Sequence, residues 1–244
     1  GAGGIWKPVE LRMVNPSDEA LERMASKDSL SGWLRAENAY ITVEENGPQR
    51  AVIRLDGLYR RGEQSIKSFR LRLTARKGEP YLQIDHTFIF EQDPSKYLLD
   101  GIFMDWPTRG NRFTVPGPNV PRTAKQSAQI YSLNSDEFQI SLDGKKEKLA
   151  GRPLGWVDTA RTRTGTMVFL RNMWQEFPGA IKAGKDGVRI SIWPDDQPLD
   201  LGNISENWPG SDARGLAKTR RIFVVPHRTG DPAKLAELAR RLDT

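Results

Sequence analysis

Apolar and polar residues alternate with a period of two through the middle of this chain, and that pattern restricts the fold before any other feature does. From Gln49 to Asp56 the apolar residues Ala51, Ile53 and Leu55 alternate with Arg50, Arg54 and Asp56, with Val52 interrupting the polar side. Phe69, Leu71, Leu73 and Ala75 alternate with Arg70, Arg72 and Thr74, and after the turn Lys77-Gly78-Glu79-Pro80 the run Tyr81 to Phe90 resumes. Further short runs lie at Phe138–Leu142, Thr166–Met173, Val188–Trp193 and Arg221–Val225. Successive side chains of a strand point to opposite faces, so each run reads as a strand with one face inward. Asn46-Gly47, Asp143-Gly144 and Asp186-Gly187 are tight-turn dipeptides of the hairpin kind. Many short strands so bounded predict an all-β fold, a large antiparallel β-sandwich. The 244 residues fit one such unit.

Two stretches read as helical. Ser17–Ala25 follows Asn15-Pro16 with only a weak apolar stripe. Asp231-Pro232 opens a stronger one, with Leu235, Leu238 and Leu242 on one side and Asp231 as N-cap. The expected organisation is an extension with a short helix and loop over 1–39, a sandwich over 40–230 and a C-terminal helix over 231–244. That helix would serve as the start of, or a linker into, a following helical domain. Gly110–Lys125, with Pro116, Pro118 and Pro121, reads as a long irregular loop of the kind that carries function. The opening Gly1-Ala2-Gly3-Gly4 suggests a segment of a longer chain, with any targeting signal upstream.

Composition narrows the chemistry. There is no cysteine, which excludes disulfides, cysteine nucleophiles and thiolate metal sites. No apolar run reaches the roughly 18 residues of a membrane span. A net charge of +6 favours an anionic partner. The basic residues are dispersed among β-type residues instead of gathered in a block, which reads as a solvated strand face and argues against nucleic acid. No HExxH, EF-hand, P-loop, Rossmann or GxSxG pattern occurs. The sequence requires no cofactor; Asp93, Asp195, Asp196 and Asp200 offer oxygens for calcium without a spacing template.

Candidate chemistry concentrates between Trp156 and Trp193. Four of the seven tryptophans fall between Trp156 and Trp208, and an indole offers a flat apolar face with a polar N–H, suited to sugar rings. Arg171, Asn172 and Gln175 supply planar, multi-donor groups suited to carboxylates and hydroxyls. Taken singly, Trp156, Trp174 and Trp193 read rather as core residues packed between sheets, and the cluster is more suggestive than its members. The two histidines differ: His86 shares the apolar side of its strand and reads as a core histidine held by hydrogen bonds, whereas His227 stands at a strand end.

Several segments together resemble one family. They are Val43–Val52, Ile84-Asp85-His86-Thr87-Phe88, Gly155-Trp156-Val157-Asp158, Arg171-Asn172-Met173-Trp174-Gln175-Glu176-Phe177-Pro178, Ile192-Trp193-Pro194 and Gly215–Thr219. Over about residues 40–228 they are similar to the central β-sandwich of the exo-rhamnogalacturonan lyase (YetA-like) family, with the Arg171–Pro178 string the most specific part. The resemblance implies a lyase-type super-sandwich, a helical toroid in the parent chain, and a uronate-containing, pectin-type polysaccharide as partner. It also implies a secreted or periplasmic setting.

Elimination on a uronate needs a group that neutralises the C6 carboxylate, a base for the C5 proton and an acid for the leaving oxygen. The expectation places Arg171, Asn172 and Gln175 on the carboxylate, Trp174 and Trp193 as stacking walls, and His227 or His86 as base, with strand register favouring His227. No acid is assigned. Arg171 reads alternatively as a buried ion-pair partner of Asp158 or Glu176, because both faces of Thr166–Met173 are apolar. Two other functions stay open: a non-catalytic glycan-binding or scaffold domain, and a glycoside hydrolase using carboxyl groups from Asp158, Glu176, Asp195 and Asp196.

Overall fold

The alternating runs are strands in a computed structural model, which describes residues 10–13, 32–61, 64–89, 98–99, 101–162, 164–194, 199–200, 215–228 and 231–243. The first nine are β1 (Glu10–Met13), β2 (Gly32–Asn46), β3 (Arg50–Arg61), β4 (Gln64–Arg76), β5 (Leu82–Ile89), β6 (Leu98–Leu99), β7 (Gly101–Trp106), β8 (Arg112–Val115) and β9 (Arg122–Ala124). Then follow β10 (Ser127–Ser132), β11 (Glu137–Leu142), β12 (Lys145–Ala150), β13 (Gly155–Ala160), β14 (Thr164–Leu170), β15 (Gly179–Gly184), β16 (Gly187–Trp193), β17 (Leu199–Asp200) and β18 (Ala217–Arg228). One helix, α1 (Pro232–Asp243), closes the described chain.

Among the described residues sixteen strands join edge to edge in the order β12-β11-β10-β15-β16-β7-β1-β2-β3-β4-β5-β18-β14-β13-β8-β9, and β17 pairs separately with β6. Every pairing is antiparallel. The ribbon doubles over so that β10 and β15 face β13 and β8. Between the layers lies one core, with Ile102, Met104, Ile130, Ile181 and Ile190 from one side and Phe113, Val157, Val168, Leu170, Ile222 and Val224 from the other. Each fully buried side chain of this kind contributes about 1.5–3 kcal/mol by leaving water. Tight turns hold the hairpins: Asp143 and Gly144 between β11 and β12 both have positive φ, 49° and 84°, as a type I′ turn demands.

A second, smaller core lies on the outside. Register sets Trp156 opposite Phe169 and Phe169 opposite Phe223, and α1 covers this face with Leu235, Ala239 and Leu242. β14 is therefore apolar on both sides because it is buried on both, Val168 and Leu170 inward and Met167 and Phe169 beneath the helix. Asp231 caps α1 by accepting from Ala233 N–H at 3.0 Å. The helix thus belongs to this sandwich.

Other expectations change. The sheet runs through the boundary expected at residue 40, since β1 lies between β7 and β2 and β2 begins at Gly32. The expected loop Gly110–Lys125 contains the β8–β9 hairpin, its tip being 116–121. The strand expected to reach Met173 stops at Leu170, because the chain turns through Asn172 at φ 54°. The helix expected at Ser17–Ala25 lies outside the described residues. The basic outer face of β2–β5 is laced by ion pairs that offset part of its charge: Glu44 accepts from Arg54 and Arg72, and Asp56 from Arg54 and Arg70. Arg72 holds the Glu44 carboxyl below its usual range.

Candidate functional site

Strand lengths decide where a site can form. β5 pairs with β18 only as far as Leu82, opposite Val224, while β14 continues alongside β18 to Arg228. Pro226, His227 and Arg228 therefore extend past β5 with one edge open, where the missing N–H of a proline costs no ladder bond. A cavity of about 440 Å³ opens at this point, lined by Thr108, Arg109, Thr159, Thr164, Gly165, Thr166, Pro226, His227 and Arg228.

Inside it, His227 Nε2 lies 2.7 Å from Asp158 Oδ1. A carboxylate only accepts, so Nε2 carries the proton and the lone pair of the neutral ring falls on Nδ1. That Nδ1 is itself buried and, like the buried hydroxyls of Thr108 and Thr159, has no hydrogen-bond partner among the described residues. Asp158 is 2% exposed and His227 12%, an orienting acid behind a ring that reaches the cavity. The ring crosses Gly165, where an added Cβ would stand 2.4 Å from His227 Cε1 and 2.6 Å from Nε2. Arg109 and Arg228 complete the lining, and neither has an ion-pair partner among the described residues. The arrangement combines an imidazole oriented by Asp158 with two cations and two threonine hydroxyls, groups suited to an anionic, hydroxyl-rich ligand.

The residues expected in one site are dispersed. Gly165 is opposite His227, whereas Arg171 follows Leu170 at the other end of β14, six residues and about 20 Å away. Arg171, Asn172 and Gln175 thus cannot share one sugar carboxylate with His227. Instead the Arg171–Pro178 string is a structural turn. Arg171 N–H donates to the Arg221 carbonyl at 2.9 Å and Asn172 N–H to Asp243 Oδ1 at 3.0 Å, tying the turn to β18 and to the end of α1. Gln175 is exposed.

The carboxylates offered to Arg171 have other partners, Asp158 with His227 and Glu176 with Arg220. Those two are anchored level with Val225 and at Arg220, about 17 Å apart along β18, too far for the 5–10 Å carboxyl pair of a glycoside hydrolase. Trp156 is fully buried, Trp174 lies under Arg152 at 4.4 Å, and Trp193 lies near the Lys218 ammonium at 5.7 Å. Trp208 is outside the described residues.

His86 is a core histidine, as its register implies. It is wholly buried, its Nε2 lies 2.8 Å from the Tyr59 hydroxyl, and burial lowers its pKa to about 4. Its interior position removes it from the role of base. Of the acids offered to calcium, Asp93, Asp195 and Asp196 lie outside the described residues. Among the described residues no group of three or more His, Asp or Glu could hold a metal. Arg109, Arg228 and the threonines were missed because single residues at strand ends carry no periodic signal. Only Pro226 marked the open edge.

Residues 10–113 match the family described as the PcRGLX-like protein central beta sandwich domain. Over that span the chain is similar to a PcRGLX-like central β-sandwich. This bears out the resemblance to the rhamnogalacturonan-lyase-like sandwich, although the Arg171–Pro178 string falls outside the matched residues. The chain also superposes on two solved structures from Enterococcus faecalis. One is a protein in glycosyl hydrolase family 38, at TM-score 0.53 and 10% identity, covering 86% of this chain and 25% of that one. The other is an alpha-mannosidase, at TM-score 0.50 and 12% identity, covering 86% and 24%. Those likenesses show the fold alone, and the chain spans about a quarter of each. Among curated proteins, Phosphatidylinositol 3-kinase 1 of Dictyostelium discoideum is 26% identical over 137 residues, 54% of this chain and 8% of that protein. Together the fold and the matched family make this a carbohydrate-active β-sandwich domain.

Proposed function

We propose that the chain is the sandwich portion of a polysaccharide lyase-like protein that cleaves uronate-containing, pectin-type glycans, rhamnogalacturonan included, by β-elimination. The observation that carries this reading is the His227–Asp158 pair at a cavity edged by Arg109 and Arg228, which have no ion-pair partner among the described residues. Arg109 and Arg228 neutralise the C6 carboxylate, which acidifies the C5 proton. His227 takes that proton on Nδ1 once the ring moves to expose this buried atom, Asp158 stabilises the resulting imidazolium, and the C4–O bond breaks as the C4–C5 double bond forms, the leaving oxygen taking its proton from water. A helical domain of the parent chain supplies the remaining wall, and a polysaccharide substrate implies work outside the cytoplasm.

A non-catalytic glycan-binding or scaffold role is the second reading. It is favoured by the small share of the Enterococcus enzymes that the chain spans. Absorbance at about 235 nm, where unsaturated uronides absorb, separates the two when the chain and its parent protein are incubated with a panel of uronate glycans. A rise that disappears in His227→Gln supports elimination. A flat trace from both proteins, or full activity in His227→Gln, refutes it.

A further inference from the structure

β2 is 15 residues long, but β1 covers only Gly32–Arg35 of it. From Ala36 to Asn46 it pairs with β3 on one side, and no strand lies against its other edge among the described residues. Three side chains on this stretch stand in solvent, Tyr40 at 73% exposure, Ile41 at 63% and Val43 at 62%. Register places Ile41 opposite Leu55 and Val43 opposite Ile53, so all four share the face that carries Leu71 and Leu73 on β4. Burial falls off across that face, from Leu71 in the core, through the half-buried Leu55 and Leu73, to the exposed Ile53, Ile41 and Val43. The apolar face of the sheet thus runs on past the layer that covers it.

An open edge of this kind offers N–H and C=O groups to another strand. Tyr40-Ile41-Thr42-Val43 is aromatic and β-branched throughout, without the lysine or proline that blocks edge pairing. The register with β3 shifts on either side of this run, between Glu37 and Tyr40 and between Val43 and Glu45, which confines regular pairing to it. The acids that follow are already taken: Glu44 accepts from Arg54 and Arg72, and Glu45 from Arg50 at 2.7 Å. The run and these acids therefore present no unpaired charge that would select an acidic or a basic peptide. They select an uncharged, β-branched strand.

We propose that the occupant is β2 of a second copy of this chain, joined edge to edge across a two-fold axis at Thr42. In an antiparallel pair centred there, Ile41 stands opposite Val43 of the second copy and Tyr40 opposite its Glu44. No charge then meets a like charge, and the two apolar faces become one. The contact is isologous and uses the open edge of both copies, which ends growth at two chains. Pairing over about five residues falls below the roughly 1,200–2,000 Å² of a standard interface, so a weak dimer with Kd about 10 µM is expected. The dimer requires nothing of the elimination chemistry, and either can fail alone.

Sedimentation equilibrium from about 1 to 200 µM tests it. Wild type should pass from one chain to two over this range, while Val43→Lys, a change at an exposed position, should stay monomeric. The chain has no cysteine, so introduced thiols report the register. Ile41→Cys mixed with Val43→Cys should form a disulfide between copies at least about tenfold faster than either variant alone. Directly opposed residues stand about 5 Å apart at Cα, within disulfide reach, and diagonal ones about 7–8 Å apart. Monomers at every concentration overturn the proposal, as does wild-type association in Val43→Lys or equal cross-linking in the mixture and the separate variants. Two findings would overturn it by giving the edge to another occupant. Slow amide exchange at Ile41 and Val43 in a monomer assigns the edge to a segment of this chain. A parent protein that stays monomeric where this chain dimerises assigns it to a neighbouring domain.

Discussion

Removing the carboxylate of Glu176 should destabilise the fold through a residue it leaves behind. Arg220 is fully buried, and burial pulls its pKa down from the usual arginine range while Glu176 opposes the shift. Its Nη1 donates to Glu176 Oε2 at 2.9 Å and to the Glu176 carbonyl at 2.5 Å, whereas Nε and Nη2 have no partner among the described residues. Glu176→Ala keeps the carbonyl and deletes the only charge that compensates the guanidinium in this pair. Breaking a buried pair costs about 3–5 kcal/mol when one charge is stranded. Glu176 is one-third exposed and one bond survives, so about 2–3 kcal/mol is the expected loss. Urea unfolding of the single and double variants reads it directly. Adding Arg220→Met to Glu176→Ala removes the stranded charge and should recover much of the loss, because a buried apolar side chain needs no counter-ion. A Glu176→Ala loss below about 0.5 kcal/mol, or a double variant less stable than the single, would refute the reasoning.

Two further outcomes follow from the same geometry. Gly165→Ala places a Cβ against the His227 ring, so it should cost about 1–3 kcal/mol by overpacking and reduce 235 nm activity about a hundredfold; wild-type values of both would show that the ring does not cross Gly165. His86 titrates near 4 when folded and near 6.5 when unfolded, so the unfolded chain binds the extra proton between these values. Stability from the neutral buried ring is complete above about pH 6.5 and falls by up to about 3 kcal/mol as pH drops to 4, a slope that His86→Gln should flatten in urea midpoints; an equal slope in both proteins would exclude His86 as its source.

Much of the sheet was legible because period two records a face. Strands β3, β4, β5, β11, β16 and β18 fall on the alternating runs, and Lys77-Gly78 and Asp143-Gly144 mark their turns. Strands β13 and β15 left little trace: Gly155–Ala160 is buried at every position, so both faces look alike and alternation disappears. β8 and β9 were masked by the prolines that form their turn. The His227 site was half legible. A histidine beyond a strand-end proline is visible, but its link to Asp158, 69 residues earlier, depends on β13, β14 and β18 lying side by side. The opposite error arose at Arg171–Pro178, where a distinctive string of polar and aromatic residues reflects the demands of a turn against α1 and Arg220.

The doubling of the sheet also governs how the protein can associate. A ribbon of strands has two terminal edges, and an open edge recruits strands from other molecules. Here the two terminal strands, β9 and β12, are brought within reach of each other, and Arg122 on one donates to Glu147 on the other at 2.5 Å. β12 opens with Lys145-Lys146-Glu147-Lys148 and is almost wholly exposed. Its lysines repel an incoming copy of the same strand. The seam where the ribbon nearly closes is therefore guarded by charge, and a long sheet gains resistance to fibril-like growth without the full hydrogen-bonded closure of a barrel.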